Sequence, residues 1–458
     1  MRWLAALAAC SVSLLLPAAA GADSPVSAHA MVHACCTPYG MKERAFAESK
    51  ALGANVIRVD VEMGPIFELF GQPRPQPDWH GLDEVIELSQ RYDLPVLGIV
   101  LDTPSFLSTC PKRWPNAGHC AAADAGEYGR LAGELAAHAR GAVAQWEIVN
   151  EPDGQWAFEG SAEQYARMLA SSYDAIKARA PEARVAMGGV MTPTSPSWVE
   201  RVFATPGTDA EHKYDIANMH IRGRVGDLAR GVAGWRALLG RHGFRGPLWV
   251  TEHGYSADPA YQQDPAYVGG EPAQAGYLRH SLLALAEAGA GQVFVTLRDN
   301  PTLEPKYVSE GLVDIQETSG YPARRRPAFE AVRRLGQRWP ELRALLAEQR
   351  GHEWRAAQLS QLAAADETRL RQWRSGRGDV SGALRATRRV IRRVSAARSS
   401  RRRRAQLALA RRQERRLRGA FKRFDLRVRG YAQRVAGNRL EAFQHALAAL
   451  DCARRIDG

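Results

Sequence analysis

Two glutamates carry the strongest chemical signal in this chain. Glu151 closes the run Gln145-Trp-Glu-Ile-Val-Asn-Glu-Pro152, and Glu252 closes Pro247-Leu-Trp-Val-Thr-Glu-His-Gly254. Each sets a carboxyl group where an apolar, β-rich segment opens into a loop. Two such carboxyls are what cleavage of a glycosidic bond requires. One protonates the leaving oxygen, and the other attacks the anomeric carbon or activates a water. Asn-Glu-Pro alone is a common turn, so the weight rests on the pair.

The pair needs a scaffold that brings distant strand ends together. Short apolar strands are predicted at 29–36, 53–60, 94–101, 143–149, 184–190, 214–220, 248–251 and 292–297. Segments with helical spacing follow them at 41–52, 82–92, 125–140, 162–180, 197–204, 225–242, 273–288 and 328–338. Eight strand–helix repeats predict a (β/α)8 TIM barrel over residues 28–338, in which the carboxyl ends of the strands share one mouth. Glu151 after the fourth strand and Glu252 after the seventh can then face each other. A doubly wound open sheet is the alternative, and no Gly-x-Gly-x-x-Gly follows the first strand to support it.

The strings Trp146-Glu-Ile-Val-Asn-Glu-Pro152 and Trp249-Val-Thr-Glu-His-Gly254 resemble the acid/base and nucleophile strands of clan A glycoside hydrolases, families 5 and 39 among them. Glu310-Gly-Leu-Val-Asp314 and Arg326-Pro-Ala-Phe329 resemble that clan's last loop and helix. The resemblance implies a retaining hydrolase of O-glycosidic, β-linked poly- or oligosaccharides with no metal or organic cofactor. It implies Glu151 as acid/base, Glu252 as nucleophile, Asn150 as the partner of a sugar 2-hydroxyl and Arg58 as the group that orients Glu252. His220 matches the clan's strand-six histidine. Arg58 is expected to hold Glu252 ionised, and Glu151 is expected to have a raised pKa. Glu147 is read as structural. A catalytically idle carbohydrate- or envelope-binding barrel is the competing function; the intact set of Glu151, Glu252, Asn150 and Arg58 argues against it.

The chain departs from the clan at two places. His220-Ile-Arg222 replaces the common His-x-Tyr, and the eighth strand ends in Thr296-Leu-Arg-Asp-Asn300 without an aromatic platform. Arg222 and Arg298 are candidates for a carboxylate on the sugar, or for rim residues paired with Asp299 or Asp314. Trp156, Trp114 and Tyr255 lie on candidate mouth loops and are candidates for stacking on sugar rings or for packing.

The ends of the chain differ from its middle. Met1-Arg-Trp, an apolar run from Leu4 to Leu16 and small residues to Ala22 predict a cleaved signal peptide over 1–22 and an exported protein. Export favours disulfides, and Cys110–Cys120 across a turn-rich loop is the expected one. Cys35 and Cys36, with His29 and His33 nearby, match no common zinc spacing and are read as buried thiols on a core strand. Charge is split: residues 341–458 hold 30 Lys and Arg against 11 Asp and Glu, whereas the first 340 hold 32 against 38. A basic, helical extension over 341–458 is predicted, with a break at Ser375–Gly382 and a third helix from Arg439 to Cys452; a largely solvated, partly ordered tail is the alternative. Its expected partner is an anionic cell-envelope polymer or membrane surface rather than nucleic acid.

Overall fold

The computed structural model describes residues 24–111, 116–191, 196–300, 304–315, 323–395 and 401–457. The proposed signal segment and Trp114 lie outside the described residues. The chain divides between Pro340 and Glu341 into two compact units.

The first unit is a parallel barrel. Its strands are β1 (Val26–His33), β2 (Ile57–Val61), β3 (Val96–Val100), β4 (Val143–Ile148), β5 (Arg184–Met187, resumed at Val190–Met191), β6 (Ala217–His220), β7 (Leu248–His253) and β8 (Gln292–Thr296). Each pairs in parallel with its sequence neighbours. The ring closes where β8 pairs with β1, Val26 opposite Val293. The two pieces of β5 complete the circle: the first bridges to Ile216 and the second pairs Met191 with His220. Leu97, Ala186, Ile216, Trp249 and Phe294 form a buried cluster drawn from strands on opposite sides.

A main helix follows each strand: α1 (Tyr39–Leu52), α2 (His80–Tyr92), α3 (Ala125–His138), α4 (Ala162–Arg179), α5 (Pro196–Phe203), α6 (Val225–Arg241), α7 (Glu271–Glu287) and α8 (Pro327–Gln337), with short helical turns at Met63–Phe67 after β2 and Pro305–Val308 after β8. Local chemistry sets their ends. The Asp124 side chain accepts from the first-turn N–H groups of Gly126 and Glu127, and Ser161 with Gln164 forms a capping box. The strand–helix order expected from the sequence is therefore present throughout the barrel.

Two cysteine expectations separate. Cys110 and Cys120 are disulfide-bonded. Cys35 and Cys36 are not core thiols, because β1 ends at His33 and the pair sits in the following turn, joined to each other as a disulfide.

The second unit holds α9 (Trp339–Ser395) from Glu341 onward, and α10 (Arg401–Asp457). Its cross-helix partners run antiparallel: Arg388 with Glu414, Arg377 with Asp425, Asp366 with Arg434, Glu367 with Arg439, and His352 with His445. The predicted break at Ser375–Gly382 is absent, and so is a separate helix starting at Arg439. Gly376 within this run is a contact position. A Cβ there would come within 2.4 Å of the Phe424 ring, which stacks edge-on against Trp373. The glycine lets the two helices approach.

Candidate functional site

The chain bends sharply where β4 delivers its glutamate. Val149 has φ 65° and Glu151 φ 42°, left-handed values that cost energy for any residue with a Cβ and most for a β-branched one. Strain at two of three successive residues turns the Glu151 carboxyl towards the strand ends of β6 and β7. A carboxylate oxygen of Glu151, one of Glu252 and a ring nitrogen of His220 all lie within 4.8 Å of one another.

Arg58 spans the barrel interior beneath them. From β2 it reaches side chains on β4 and β7, which are not its neighbours in the sheet. Its Nε and Nη2 donate to the two oxygens of Glu147 at 2.9 and 3.0 Å, and Nη2 also donates to Asn150 Oδ1 at 2.7 Å. Nη1 donates to Glu252 Oε1 at 2.9 Å and lies 3.2 Å from His29 Nε2. Every guanidinium N–H thus has a partner, and the group is 1% exposed. Glu147 is fully buried and also accepts from the Gly189 N–H, so it anchors Arg58.

Glu252 is held from a second side. Arg222 Nη2 lies 3.5 Å from its Oε2 and forms a forked pair with Glu310, at 2.9 to 3.2 Å. Burial pushes Glu252 up, but His220, Arg58, His29 and Arg222 pull it well below the usual carboxylate range. The same burial lowers His29 to about 3, with Arg58 acting in the same direction. Glu310 is raised by burial, against the pull of Arg222.

Glu151 has lighter surroundings. Its Oε1 meets His220 Nδ1 at 2.8 Å, and its Oε2 accepts from the indole N–H of Trp156 at 2.8 Å. Burial raises its pKa, but the His220 and Trp156 contacts outweigh burial and the like charge of Glu252. The net shift is downward. The expected rise is not met in this structure, because both oxygens are accepting hydrogen bonds. The Thr251 hydroxyl donates to Asn218 Oδ1, which leaves its oxygen to accept from His220 Nε2 at 3.1 Å. Nδ1 on the other side of the ring is the nitrogen that faces Glu151 Oε1. The ring is wedged against Gly189, where a Cβ would come within 2.1 Å of Nε2.

The expected site residues divide. Glu151, Glu252, Asn150, Arg58, His220 and Trp156 converge. Arg298 does not: it is 2% exposed and turned to α1, with the Met41 carbonyl at 3.5 Å and Glu48 at 3.7 Å. Asp299 and Asp314 pair with Arg326 and Arg324 instead. Tyr255 is 5% exposed, stacked on Tyr277 at 3.8 Å, with its hydroxyl on the Tyr267 carbonyl. It is a wall of the molecule, with its stacking face already taken by Tyr277. Trp156, by contrast, is 65% exposed beside Glu151. Arg222 and Glu310 are not assigned to the nucleophile from sequence. The signal for Arg222 was its position two residues after His220.

A cavity of ≈ 160 Å³ adjoins Glu252 through Arg222 and is lined also by Tyr255, Tyr261, Lys306, Tyr307 and Glu310. A larger one, ≈ 470 Å³, is lined by residues after β4 and by Trp198 and Arg201, and holds neither glutamate. The Glu151–His220–Glu252 atoms are close enough to share a cation, as are those of Asp209, Glu211 and His212 on the surface. At the first of these, two guanidinium groups already supply the positive charge that Glu252 needs, and an ion would have to share it with them.

No protein-family model and no curated protein matches the sequence. Solved structures do. A monomeric β-xylosidase from Caulobacter crescentus CB15 aligns with TM-score 0.53 at 17% identity, over 68% of this chain and 68% of its own. A glucosidase from Croceicoccus marinus aligns with TM-score 0.49 at 15% identity, over 64% of this chain and 63% of its own. An exo-β-1,4-mannosidase from Opitutaceae bacterium strain TAV5 aligns with TM-score 0.48 at 18% identity, over 69% and 60%. The chain therefore spans about 60–68% of the length of these proteins. At this identity the xylosidase match speaks for the architecture, and the architecture is a (β/α)8 barrel.

Proposed function

We propose that the barrel is an exported retaining glycosidase acting on β-linked poly- or oligosaccharides by double displacement, with no cofactor. The observation that carries this is the pair of strand-end carboxylates, one oxygen of each within 4.8 Å, in unequal electrostatic surroundings. Retaining chemistry needs its two carboxyl groups ~5–5.5 Å apart.

In the first step a Glu252 oxygen bonds to the anomeric carbon as the glycosidic C–O bond breaks. The proton of the Glu151 carboxyl group passes from that group to the leaving oxygen, and Glu151 becomes a carboxylate. Glu252, now esterified, no longer carries a charge. In the second step Glu151 takes a proton from water, the water oxygen bonds to the anomeric carbon, and Glu252 leaves as a carboxylate. Arg58 and Arg222 favour that departure, since both stabilise the ionised form. Asn150 has its Oδ1 committed to Arg58, so its amide N–H groups are the ones available to a sugar hydroxyl.

A panel of β-linked aryl glycosides and polysaccharides, assayed with the wild type, Glu151→Gln and Glu252→Gln, tests the reading. Both variants are expected to fall by orders of magnitude, and proton NMR of the first-formed product should show retained anomeric configuration. Inverted product, or activity that survives both substitutions, would overturn the mechanism.

A further inference from the structure

The helix α10 has two seams, and only one faces its partner. Ala410, Val435, Ala442, Ala449, Cys452 and Ile456 are buried and recur at three- and four-residue steps, the pattern of an antiparallel helical pair. A second series runs along the opposite side at the same steps. Its first half is basic: Arg404, Arg411, Arg415, Arg418 and Lys422 are all exposed. Its second half turns apolar at residue 440: Leu440, Phe443, Leu447 and Leu450 are exposed by 49–61%, and Leu426, 72% exposed, is set apart from them by Arg429 and Gln433. At ~1.5 Å per residue the face is about 75 Å long from Arg404 to Arg454. Between residues 426 and 454 the acids are Glu441 and Asp451, against Arg427, Arg429, Arg434, Arg439 and Arg454.

We infer that this outer face of α10 docks on an anionic lipid surface. A helix with an apolar stripe, arginine neighbours and low overall hydropathy lies in the headgroup plane with the stripe in the acyl boundary. No helix of the described residues is long and apolar enough to cross a membrane, so the contact is peripheral. A second copy of the chain fits the face poorly. Packed in parallel, it would set Arg404–Lys422 against the same residues; antiparallel over the full face, it would set them against the apolar half, and paired over the apolar halves alone it would leave both basic halves without a partner. A soluble acidic polymer would satisfy the basic half and leave Phe443, Leu447 and Leu450 in water. Only an anionic bilayer answers both halves.

Flotation of the full chain with phosphatidylcholine vesicles, with and without phosphatidylglycerol, tests this. Binding is expected only with the anionic lipid and is expected to weaken as salt rises. Arg404→Gln, Arg411→Gln and Arg415→Gln should each lower partitioning ~5-fold, the weight of one basic residue near an anionic surface. Phe443→Ser with Leu447→Ser should lower it by ~10-fold or more, with helix content by circular dichroism unchanged. Independently of those variants, Phe443→Trp should show a blue-shifted emission when anionic vesicles are added. Vesicle binding that ignores the serine pair, an emission that does not move, or a lipid-free dimer abolished by the serine pair would each overturn the inference.

Discussion

The two glutamates at the barrel mouth are neighbours, yet they are held by opposite means. Glu252 sits among fixed charges: Arg58 on one oxygen and Arg222 near the other, each tied in turn to a further buried carboxylate, Glu147 and Glu310. Glu151 has one imidazole and one indole, and that indole is mostly in solvent. A nucleophile has to stay ionised and stationary, whereas an acid has to exchange its proton and accommodate a leaving group. The difference in support follows the difference in task.

That contrast can be broken at several points. The largest effect is expected from Arg58→Ala, which leaves Glu147 buried without its cation and Glu252 with Arg222 and His220 alone. It should cost about 3–5 kcal/mol of stability in denaturant melts, and activity with it. A loss confined to activity would mean that Arg58 is not the keystone described above. Next comes Gly189→Ala, whose methyl group would displace the His220 ring from Glu151. Turnover should fall on the order of a hundredfold while KM changes little, the cost of moving a proton-transfer partner by about 1 Å.

Two milder substitutions distinguish the carboxylates by pH. Arg222→Gln removes a cation that helps keep Glu252 ionised, so the pKa of Glu252 rises. Because the nucleophile must be ionised, the acid limb of the kcat/KM profile should move to higher pH, with about a tenfold loss at the optimum. Trp156→Phe removes a donor to the Glu151 carboxylate, so its pKa rises too. Since Glu151 must be protonated in the first step, the alkaline limb should move to higher pH, with less than about a tenfold change in rate. If both substitutions moved the same limb, the assignment of roles to the two glutamates would be wrong.

Much of this is legible in the sequence. β-branched runs bounded by glycine and proline marked the strands, and both glutamates were found because each ends such a run. What escaped was contact between segments far apart in sequence. Nothing local distinguishes Arg298, turned outward to Glu48, from Arg222, turned inward to Glu252 and Glu310. Ser375–Gly382 reads as a break by composition, and only the ring of Phe424 across the hairpin explains a glycine inside a continuous helix. Cys35 and Cys36 look like core residues until β1 is seen to stop at His33. The lowered pKa of Glu151 likewise depends on where Trp156 and His220 fall in space.

The left-handed backbone at Val149 has a consequence for how the chain tolerates change. A β-branched side chain there is close to the worst occupant for the geometry, and glycine would relax it. Val149 is also buried, so glycine would relieve the backbone and empty a packed site at once. The side chain that strains the corner is the one that fills it. Packing and aim are tied together at a single residue.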